Sequence, residues 1–217
     1  MSDPADPGPD DAAEPAETSG SGDAAVPAED GKRLRRRWQR VLTEAAGIAV
    51  VAALLAFLVR TYAFESFSIP SSSMEPTLGI GDRIEVQKAF FSWHDLHEGD
   101  IVVFGHPPRD DCPGPPGDLV KRVIALPGQT IYSAGDSVYV NGRPLAEPYL
   151  PQDDPLGPPI ASPQHPYRVP PGDFYVLGDY RSNSCDSRYW GPVKGSTIVG
   201  KVVLLWWHDG DPDFHLF

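Results

Sequence analysis

Three consecutive serines, Ser71, Ser72 and Ser73, lie shortly after a long apolar run and are followed by Met74. A serine hydroxyl is a poor nucleophile unless a neighbouring base removes its proton. Histidine, lysine or an N-terminal amine can supply that base. A run of serines alone is equally typical of a solvated loop, so its chemical meaning depends on whether the rest of the chain offers a base.

Lys121 is the better candidate for that base. The chain has six histidines, and none lies in a segment that resembles a known Ser–His arrangement. A free lysine has a pKa of about 10.4 and must be desolvated to be neutral near pH 7. Lys121 meets this condition because it lies between Leu119-Val120 and Val123-Ile124 on a predicted strand. Strand alternation should point Lys121 and Arg122 to opposite faces.

Charge is distributed unevenly along the 217 residues. Residues 1–31 contain nine acidic residues, no basic residue and no aromatic residue, which predicts a disordered acidic tail. Residues 32–40 form a basic segment with six Lys or Arg residues. Taking both segments from the total of −12 leaves −9 from residue 41 onward. Such a charge argues against a nucleic-acid surface on the main domain, because phosphate binding requires clustered cations.

An apolar stretch follows the basic segment and predicts one transmembrane helix over residues 41–64. No charged residue occurs from Ala45 to Val59. That span alone is only about 22 Å long at 1.5 Å per residue. The flanks, including Arg60, must therefore join the helix to cross a hydrocarbon layer of about 30 Å.

Two interpretations compete for this helix, a cleaved secretory signal and a retained anchor. About 40 residues precede it, and the residues after it lack a small-x-small cleavage site, so retention is favoured. The basic segment places the N-terminus and the acidic tail in the cytoplasm. Residues 65–217 should then form an extracytoplasmic domain.

Beyond the helix the pattern is that of short strands. Apolar segments separated by Gly, Pro, Asp and Asn predict strands at Arg83–Val86, Asp100–Phe104, Val120–Ala125, Ser137–Val140, Asp173–Leu177 and Thr197–Leu205. Asn141-Gly142 favours a hairpin turn. Long Pro-rich insertions occupy residues 105–118 and 144–171. The predicted fold class is therefore mainly β, an antiparallel sheet domain with two long insertions.

Four ordered blocks of sequence carry a family resemblance. They are Pro70–Leu78 with the following Gly81-Asp82, then Gly99–Phe104, Val120–Gly128 and Gly178–Gly191. Together they resemble the type I signal peptidases, or leader peptidases, and among these the single-span, Gram-positive-like subgroup. Members of that family are membrane-anchored serine endopeptidases that remove signal peptides from exported preproteins. The resemblance extends from the apolar helix to about Val203.

The resemblance implies a role for each matching position. Ser73 would be the nucleophile and Lys121 the general base. The Ser71 hydroxyl and the Ser73 backbone N–H would form the oxyanion hole. Ser184 would hydrogen-bond to Lys121 and orient it. Four charged side chains would brace the site through structural ion pairs: Asp179, Arg122, Asp186 and Arg188.

The last block departs from the family pattern, which commonly reads Gly-Asp-Asn-Arg-Asp-Asn-Ser. Tyr180 and Ser182 replace family residues, which puts the packing of the loop in doubt and leaves the chemistry unaffected. Cys185 takes a position often held by Ala or Ser. The only other cysteine is Cys112, and both should lie in an oxidising compartment. A disulfide between them would close a loop of about 74 residues, and two unpaired thiols are the alternative.

Signal peptides carry small side chains at the first and third positions before the cut, which calls for shallow apolar pockets and an edge strand. Candidate pocket walls, each of which could equally be ordinary core, are Phe67, Ile69, Pro70, Met74, Leu119, Val120 and Leu177. Two aromatic segments, Phe90-Phe91-Ser92-Trp93 and Trp206-Trp207, are candidates for the membrane interface. Burial in the β core is the alternative for both, and especially for Trp206.

The predicted partners are exported preproteins and the lipid bilayer, without nucleic acid, and the predicted state is a monomer. No metal or organic cofactor is predicted, because no Cys/His cluster has ligand spacing and no phosphate-cradling glycine loop follows a strand. Two other classes of function stay open. Self-cleaving repressors share the Ser–Lys fold but carry a DNA-binding helical domain. The other is a noncatalytic, membrane-tethered β module.

Overall fold

The computed structural model describes residues 28–89, 91–108, 112, 117–208 and 210–217. The chain divides into two compact units, Met1–Val51 and Ala52–Phe217, and the boundary falls within the first helix. All residues of the candidate site belong to the second unit. The tail predicted for residues 1–31 lies outside the described residues except for its last four, which are helical.

Helix α1, Ala28–Ala63, contains both the basic segment and the apolar stretch. From Arg33 to Ala63 it reaches a mean hydropathy of 2.3 in a window whose residues are not buried, so by length and composition it could span a membrane. The last carbonyls of a helix lack helical partners. Here the Ala63 carbonyl accepts the backbone N–H groups of Lys88 at 2.8 Å and Ala89 at 3.3 Å, so residues that follow the strand Arg83–Gln87 satisfy the end of the helix.

Twelve short strands follow in the described part of the chain. They are β1 (Phe64–Ser68), β2 (Arg83–Gln87), β3 (Ile101–Phe104), β4 (Leu119–Ala125), β5 (Thr130–Ala134), β6 (Ser137–Val140), β7 (Arg143–Pro144), β8 (Tyr167–Arg168), β9 (Asp173–Leu177), β10 (Val193–Lys194), β11 (Ile198–Trp207) and β12 (His215–Leu216). The main sheet has the order β1-β2-β11-β3-β4-β9-β10, with β12 beside β11, and the second sheet has the order β7-β6-β5-β8. All the pairings are antiparallel. The predicted fold class, mainly antiparallel β after one apolar helix, is confirmed.

The central strands of the main sheet are covered on both faces. Every residue of β3 is buried, because its alternate side chains enter two different apolar clusters. Ile101 and Val103 pack with Ile84 and Val202, whereas Val102 and Phe104 pack with residues such as Phe174. The neighbouring strand β4 follows the same alternation, since Lys121 pairs with Val102 and Arg122 pairs with Ile101. The two cations therefore leave β4 on opposite faces.

The second sheet packs on the far end of β4 and on β9. One apolar cluster joins Ile124 and Leu177 of the main sheet to Ile131 and Val138 of the second. It also takes in Leu156, so the insertion at residues 144–171 contributes to the core. The predicted hairpin turn at Asn141-Gly142 is present, with φ of 51° and 76° at the two positions, the left-handed values that such a turn needs.

Candidate active site

The serine-rich segment forms a short 3-10 turn, Ser72–Met74, with Ser71 in extended conformation before it. Ile69 and Met74 are buried on either side of the serines and belong to the apolar cluster that lines one face of the main sheet. These two anchors keep the segment against the sheet, so the Ser73 side chain is only 8% exposed. A solvated loop, the alternative for a run of serines, does not describe this segment.

The amine of Lys121 reaches the hydroxyl of Ser73. Nζ of Lys121 donates a hydrogen bond to Ser73 Oγ at 2.7 Å and to the Val120 carbonyl at 3.0 Å. Lys121 is 3% exposed. Its β4 neighbours on the same face are Leu119 and Val123, both packed in an apolar cluster. The sequence predicts this pair of side chains as partners, and the structure brings them into contact.

Ser71 and Ser184, the other two hydroxyls predicted at the site, lie in different surroundings. The Ser71 Oγ is 3.4 Å from the Ser73 Oγ, on the same side of the turn. The Ser184 Oγ is buried and makes no hydrogen bond to any residue that the structure describes. The predicted hydrogen bond from Ser184 to Lys121 is therefore not made here, because the Lys121 amine is directed at Ser73 and Val120.

Gly178 is the point of closest approach between the serine turn and the last sequence block. A Cβ at this position would lie 2.2 Å from the Ser184 Oγ and 2.4 Å from the Ser73 carbonyl oxygen. A glycine is therefore required there for steric reasons alone. Two residues further on, the Tyr180 N–H donates to the same Ser73 carbonyl at 3.1 Å. The backbone of Ser73 is thus held directly by the backbone that follows β9.

Arg122 forms the first of the predicted ion pairs. Its Nε and Nη2 donate to the two carboxylate oxygens of Asp179 at 2.8 and 2.5 Å, a bidentate geometry. Its Nη1 donates to the Gly99 carbonyl at 2.8 Å, and Thr77 donates to Asp179 at 2.5 Å. This pair, with Thr77 and Gly99, therefore connects all four family blocks.

Asp186 and Arg188 form the second predicted pair, with two hydrogen bonds of 2.7 Å between the guanidinium and the carboxylate. Both side chains are fully buried. Asp186 also accepts the Gly178 N–H at 3.0 Å, and Arg188 donates to the carbonyls of Leu156 and Ser184. The pair closes the loop between β9 and α2 (Ser187–Trp190) on itself.

A third buried ion pair is absent from the sequence predictions. Arg181 is 1% exposed and pairs with Glu147, whose side chain is 7% exposed. Tyr149 donates to Glu147 at 2.8 Å, and its ring lies 3.9 Å from the Arg122 guanidinium carbon. Burial, with the Glu147 carboxylate nearby, raises the pKa of Tyr149 above its usual value. In the sequence, Glu147 and Tyr149 are simply an acidic and an aromatic residue within a Pro-rich insertion. This pattern is too weak to predict a partner for either residue.

The seven predicted pocket residues divide into two groups. Ile69, Met74 and Leu177 are buried in apolar clusters and form core. The other four have accessible surface, Pro70 as an exposed residue and Phe67, Leu119 and Val120 as half-buried ones. Only this second group can touch a substrate in the present conformation.

The two aromatic segments also differ. Phe90 lies outside the described residues, while Phe91 and Trp93 are half-buried against the cluster that contains Phe174, which favours the core alternative for them. Trp206 instead lines a groove of about 750 Å³ with Val59 and Phe64 from the end of α1 and the start of β1. The groove leaves the membrane interpretation open for Trp206, and its buried indole Nε1 leaves the core alternative open as well.

Cys112 and Cys185 are paired as a disulfide with their Cα atoms 6.2 Å apart. The link fastens the first insertion to the loop that contains Ser184. Among the residues that the structure describes, no group of three His, Cys, Asp or Glu side chains is placed to hold a metal ion.

A buried serine hydroxyl within hydrogen-bonding distance of a lysine amine is the arrangement that a serine hydrolase with a lysine base requires. Residues 42–207 match the family described as signal peptidase, peptidase S26. The chain is 40% identical to signal peptidase I of Leptolyngbya laminosa over 166 residues, which cover 74% of this chain and 76% of that one. It therefore belongs to the signal peptidase family S26, a family of serine endopeptidases.

Two further relatives extend the comparison. Signal peptidase I of Mycobacterium tuberculosis is 34% identical, covering 93% of this chain and 83% of that protein. Signal peptidase I T of Bacillus subtilis is 39% identical, covering 70% of this chain and 78% of that protein. A solved signal peptidase I from Enterococcus faecalis is 30% identical and covers 49% of this chain and 96% of that one, with a TM-score of 0.39, too low to support an argument about the fold.

Proposed function

We propose that this chain is a membrane-anchored endopeptidase that cleaves N-terminal signal peptides from exported preproteins after small residues. Ser73 is the nucleophile and Lys121 the base, and the reaction passes through an acyl-enzyme. The contact that carries the proposal is the 2.7 Å hydrogen bond between two buried side chains, Lys121 Nζ and Ser73 Oγ. The substrate class follows from the relatives, whose names are those of signal peptidases.

Lys121 must be neutral to act as a base. Removing an ammonium group from water favours its neutral form, and Lys121 is buried among apolar side chains of β4. The neutral amine then accepts the Ser73 proton while Oγ attacks the scissile carbonyl carbon. The resulting ammonium returns that proton to the departing amine, and water later releases the acyl group by the same sequence of proton transfers.

The oxyanion formed by the attack needs hydrogen-bond donors. The Ser73 N–H and the Ser71 hydroxyl fill this role, and the 3.4 Å separation of the two serine Oγ atoms supports it. Donors of this kind are each worth about 2.7–4 kcal/mol in the transition state. Ser184 orients Lys121 once substrate is bound, since catalytic hydrogen bonds often form only in the loaded enzyme.

The substrate lies as an extended strand next to β1, an end strand of the main sheet that leads into the serine turn. Phe67, Leu119 and Val120, the half-buried members of the predicted set, contact the small side chains before the cut. Ile69, Met74 and Leu177 support them from the core beneath.

In the membrane, α1 is a single span with the acidic tail and the basic segment in the cytoplasm, and residues 65–217 are extracytoplasmic. The positive charges before the apolar stretch support this orientation. Trp206 and the lipid bilayer are in contact, and the protein acts as a monomer. In right-side-out vesicles an added protease should not cleave the tail. Cleavage of the tail in such vesicles would show that the orientation is the opposite one.

The test of function is cleavage of a purified preprotein by the full-length chain in detergent. Lys121→Ala should lower kcat by roughly 10²–10⁴-fold, the usual contribution of a general base, and Ser73→Ala should abolish acyl transfer. Lys194→Ala, at an exposed lysine of β10, is the matched control and should cleave normally. Cleavage at the normal site by both dyad variants would refute the assignment. A wild-type protein that never cleaves, even in lipid, would favour the noncatalytic β module.

A further inference from the structure

A short segment of the second insertion, Glu147–Tyr149, contacts β4, which carries Lys121, and the loop after β9, which lies against the serine turn. Glu147 pairs with Arg181, which follows β9, and the Tyr149 ring stacks on Arg122 of β4. Tyr149 also donates its hydroxyl to Glu147 at 2.8 Å, so the two side chains act as one unit. We call Glu147 and Tyr149 together the insertion clamp.

One arm of the insertion clamp ends on Gly178. Glu147 accepts hydrogen bonds from Nη1 and Nη2 of Arg181, and this leaves Nε of Arg181 to donate to the Gly178 carbonyl at 3.1 Å. Gly178 is the residue that lies against the Ser73 carbonyl and the Ser184 side chain. The position of the Glu147 carboxylate is therefore transmitted, through one guanidinium, to the backbone that supports Ser73.

The other arm ends on β4. The face of the Arg122 guanidinium is covered by Tyr149 at 3.9 Å, while its edge is held by Asp179. A guanidinium stacked on an aromatic ring and paired at its edge has little freedom to move. Arg122 directly follows Lys121 in the strand, so restraint of Arg122 also restrains the backbone from which the Lys121 side chain extends.

We propose that Glu147 and Tyr149 are positioning residues that set the distance between Ser73 Oγ and Lys121 Nζ. The inference rests on the assignment of Ser73 and Lys121 in the proposed function. Its physical basis is that the two arms hold the supports of the nucleophile and of the base from a common point. Loss of the clamp lets these supports move independently, and small changes in the relative position of reacting groups lower kcat strongly.

The competing explanation is that the clamp contributes only to stability. A purely structural contact lowers the midpoint of thermal unfolding and leaves the kinetics of the remaining folded enzyme unchanged. A positioning contact lowers kcat and kcat/KM together at temperatures where the variant is fully folded. Kinetics measured well below the unfolding midpoint therefore separate the two explanations.

The experiment uses the full-length chain in detergent with a preprotein substrate. Glu147→Gln removes the charge that holds Arg181 but keeps the side-chain shape. We expect kcat to fall by roughly 10–100-fold and KM to change by less than about twofold. Tyr149→Phe keeps the ring on Arg122 and removes only the hydroxyl, so a smaller fall in kcat is expected. Asp153→Asn is the control, an exposed carboxylate in the same insertion at a left-handed φ of 60° that Asn tolerates, and it should match the wild type.

A double variant, Glu147→Gln with Arg181→Gln, should lose no more activity than the more impaired single variant, because both changes break the same arm. Unchanged kcat in a folded Glu147→Gln variant overturns the proposal, as does a rise in KM at constant kcat. If Glu147→Gln does not fold, the kcat of Tyr149→Phe tests the proposal instead. Wild-type kcat in that variant overturns the proposal. Wild-type cleavage by Ser73→Ala would instead refute the proposed function, so the two failures are distinguishable.

Discussion

The two faces of β4 hold neighbouring cations in different chemical surroundings. On one face, Lys121 meets a serine hydroxyl and a backbone carbonyl, beside Leu119 and Val123. On the other, Arg122 meets a carboxylate at two points, a backbone carbonyl and an aromatic ring. Both side chains are buried, so burial alone does not distinguish them.

The difference shows how one strand can hold a proton-transfer residue on one face and a structural ion pair on the other. A buried guanidinium bound to a carboxylate keeps its charge and holds elements together. A buried amine next to a hydroxyl can lose its charge and exchange a proton with that hydroxyl. Because adjacent strand residues point to opposite faces, the two roles can occupy consecutive positions without interfering.

Exchanging the two cation types should have the largest effect. Lys121→Arg keeps a long positive side chain but introduces a group that stays protonated at working pH, so kcat should fall by roughly 10²–10⁴-fold. Arg122→Lys keeps the charge and loses the bidentate fork, so it should lower the unfolding midpoint and reduce kcat less than Lys121→Arg does. Both are measured by preprotein cleavage at equal folded fraction. An equal loss of kcat in the two variants would contradict the division of roles.

Asp179→Asn removes only the ion pair of Arg122, on the opposite face of β4 from Lys121. It leaves a buried guanidinium without its counter-charge, and such a loss costs about 3–5 kcal/mol of folding free energy. Denaturant unfolding of the full-length chain in detergent would measure it, with Asp95→Asn, an exposed carboxylate, as the control. A loss below about 1 kcal/mol, the range of an exposed pair, would mean that this ion pair is not the support that its geometry indicates.

Ser184→Ala changes the surroundings of Lys121 alone and should have the smallest effect on stability. A buried hydroxyl without a partner is unfavourable, so its removal should leave the free energy of unfolding unchanged or raise it by about 1 kcal/mol. The kcat should fall if Ser184 orients Lys121 in the loaded enzyme. The control is Ser187→Ala, whose hydroxyl accepts the Val176 N–H at 3.0 Å and whose loss should destabilise the fold. Wild-type kcat in Ser184→Ala would remove Ser184 from the site.

Much of the site could be predicted because its residues come from compact blocks. Asp186 and Arg188 are two positions apart, and the alternation of Lys121 and Arg122 follows from the strand alone. The β strands were predictable where apolar residues alternate or cluster. The sequence does not predict β1, because Phe64–Ser68 directly continues an apolar helix without a turn signal between them.

The remaining features depend on contacts between distant positions. Glu147 and Arg181 are 34 residues apart and lie in segments of different composition, so no local pattern relates them. The unpartnered hydroxyl of Ser184 is likewise a product of packing, since sequence fixes its neighbours along the chain and not the direction of its Oγ. The division of the apolar candidates into core and accessible surface also required the three-dimensional arrangement.

The direct junction between α1 and β1 limits how far the reaction centre can lie from the helix end. Ser73 is ten residues after Ala63, and a fully extended chain covers at most about 3.6 Å per residue, or about 36 Å. With the end of α1 at the bilayer surface, as in the proposed topology, the length of this segment sets a maximum distance between Ser73 and that surface. Preproteins would have to present their cleavage sites within that height above the lipid.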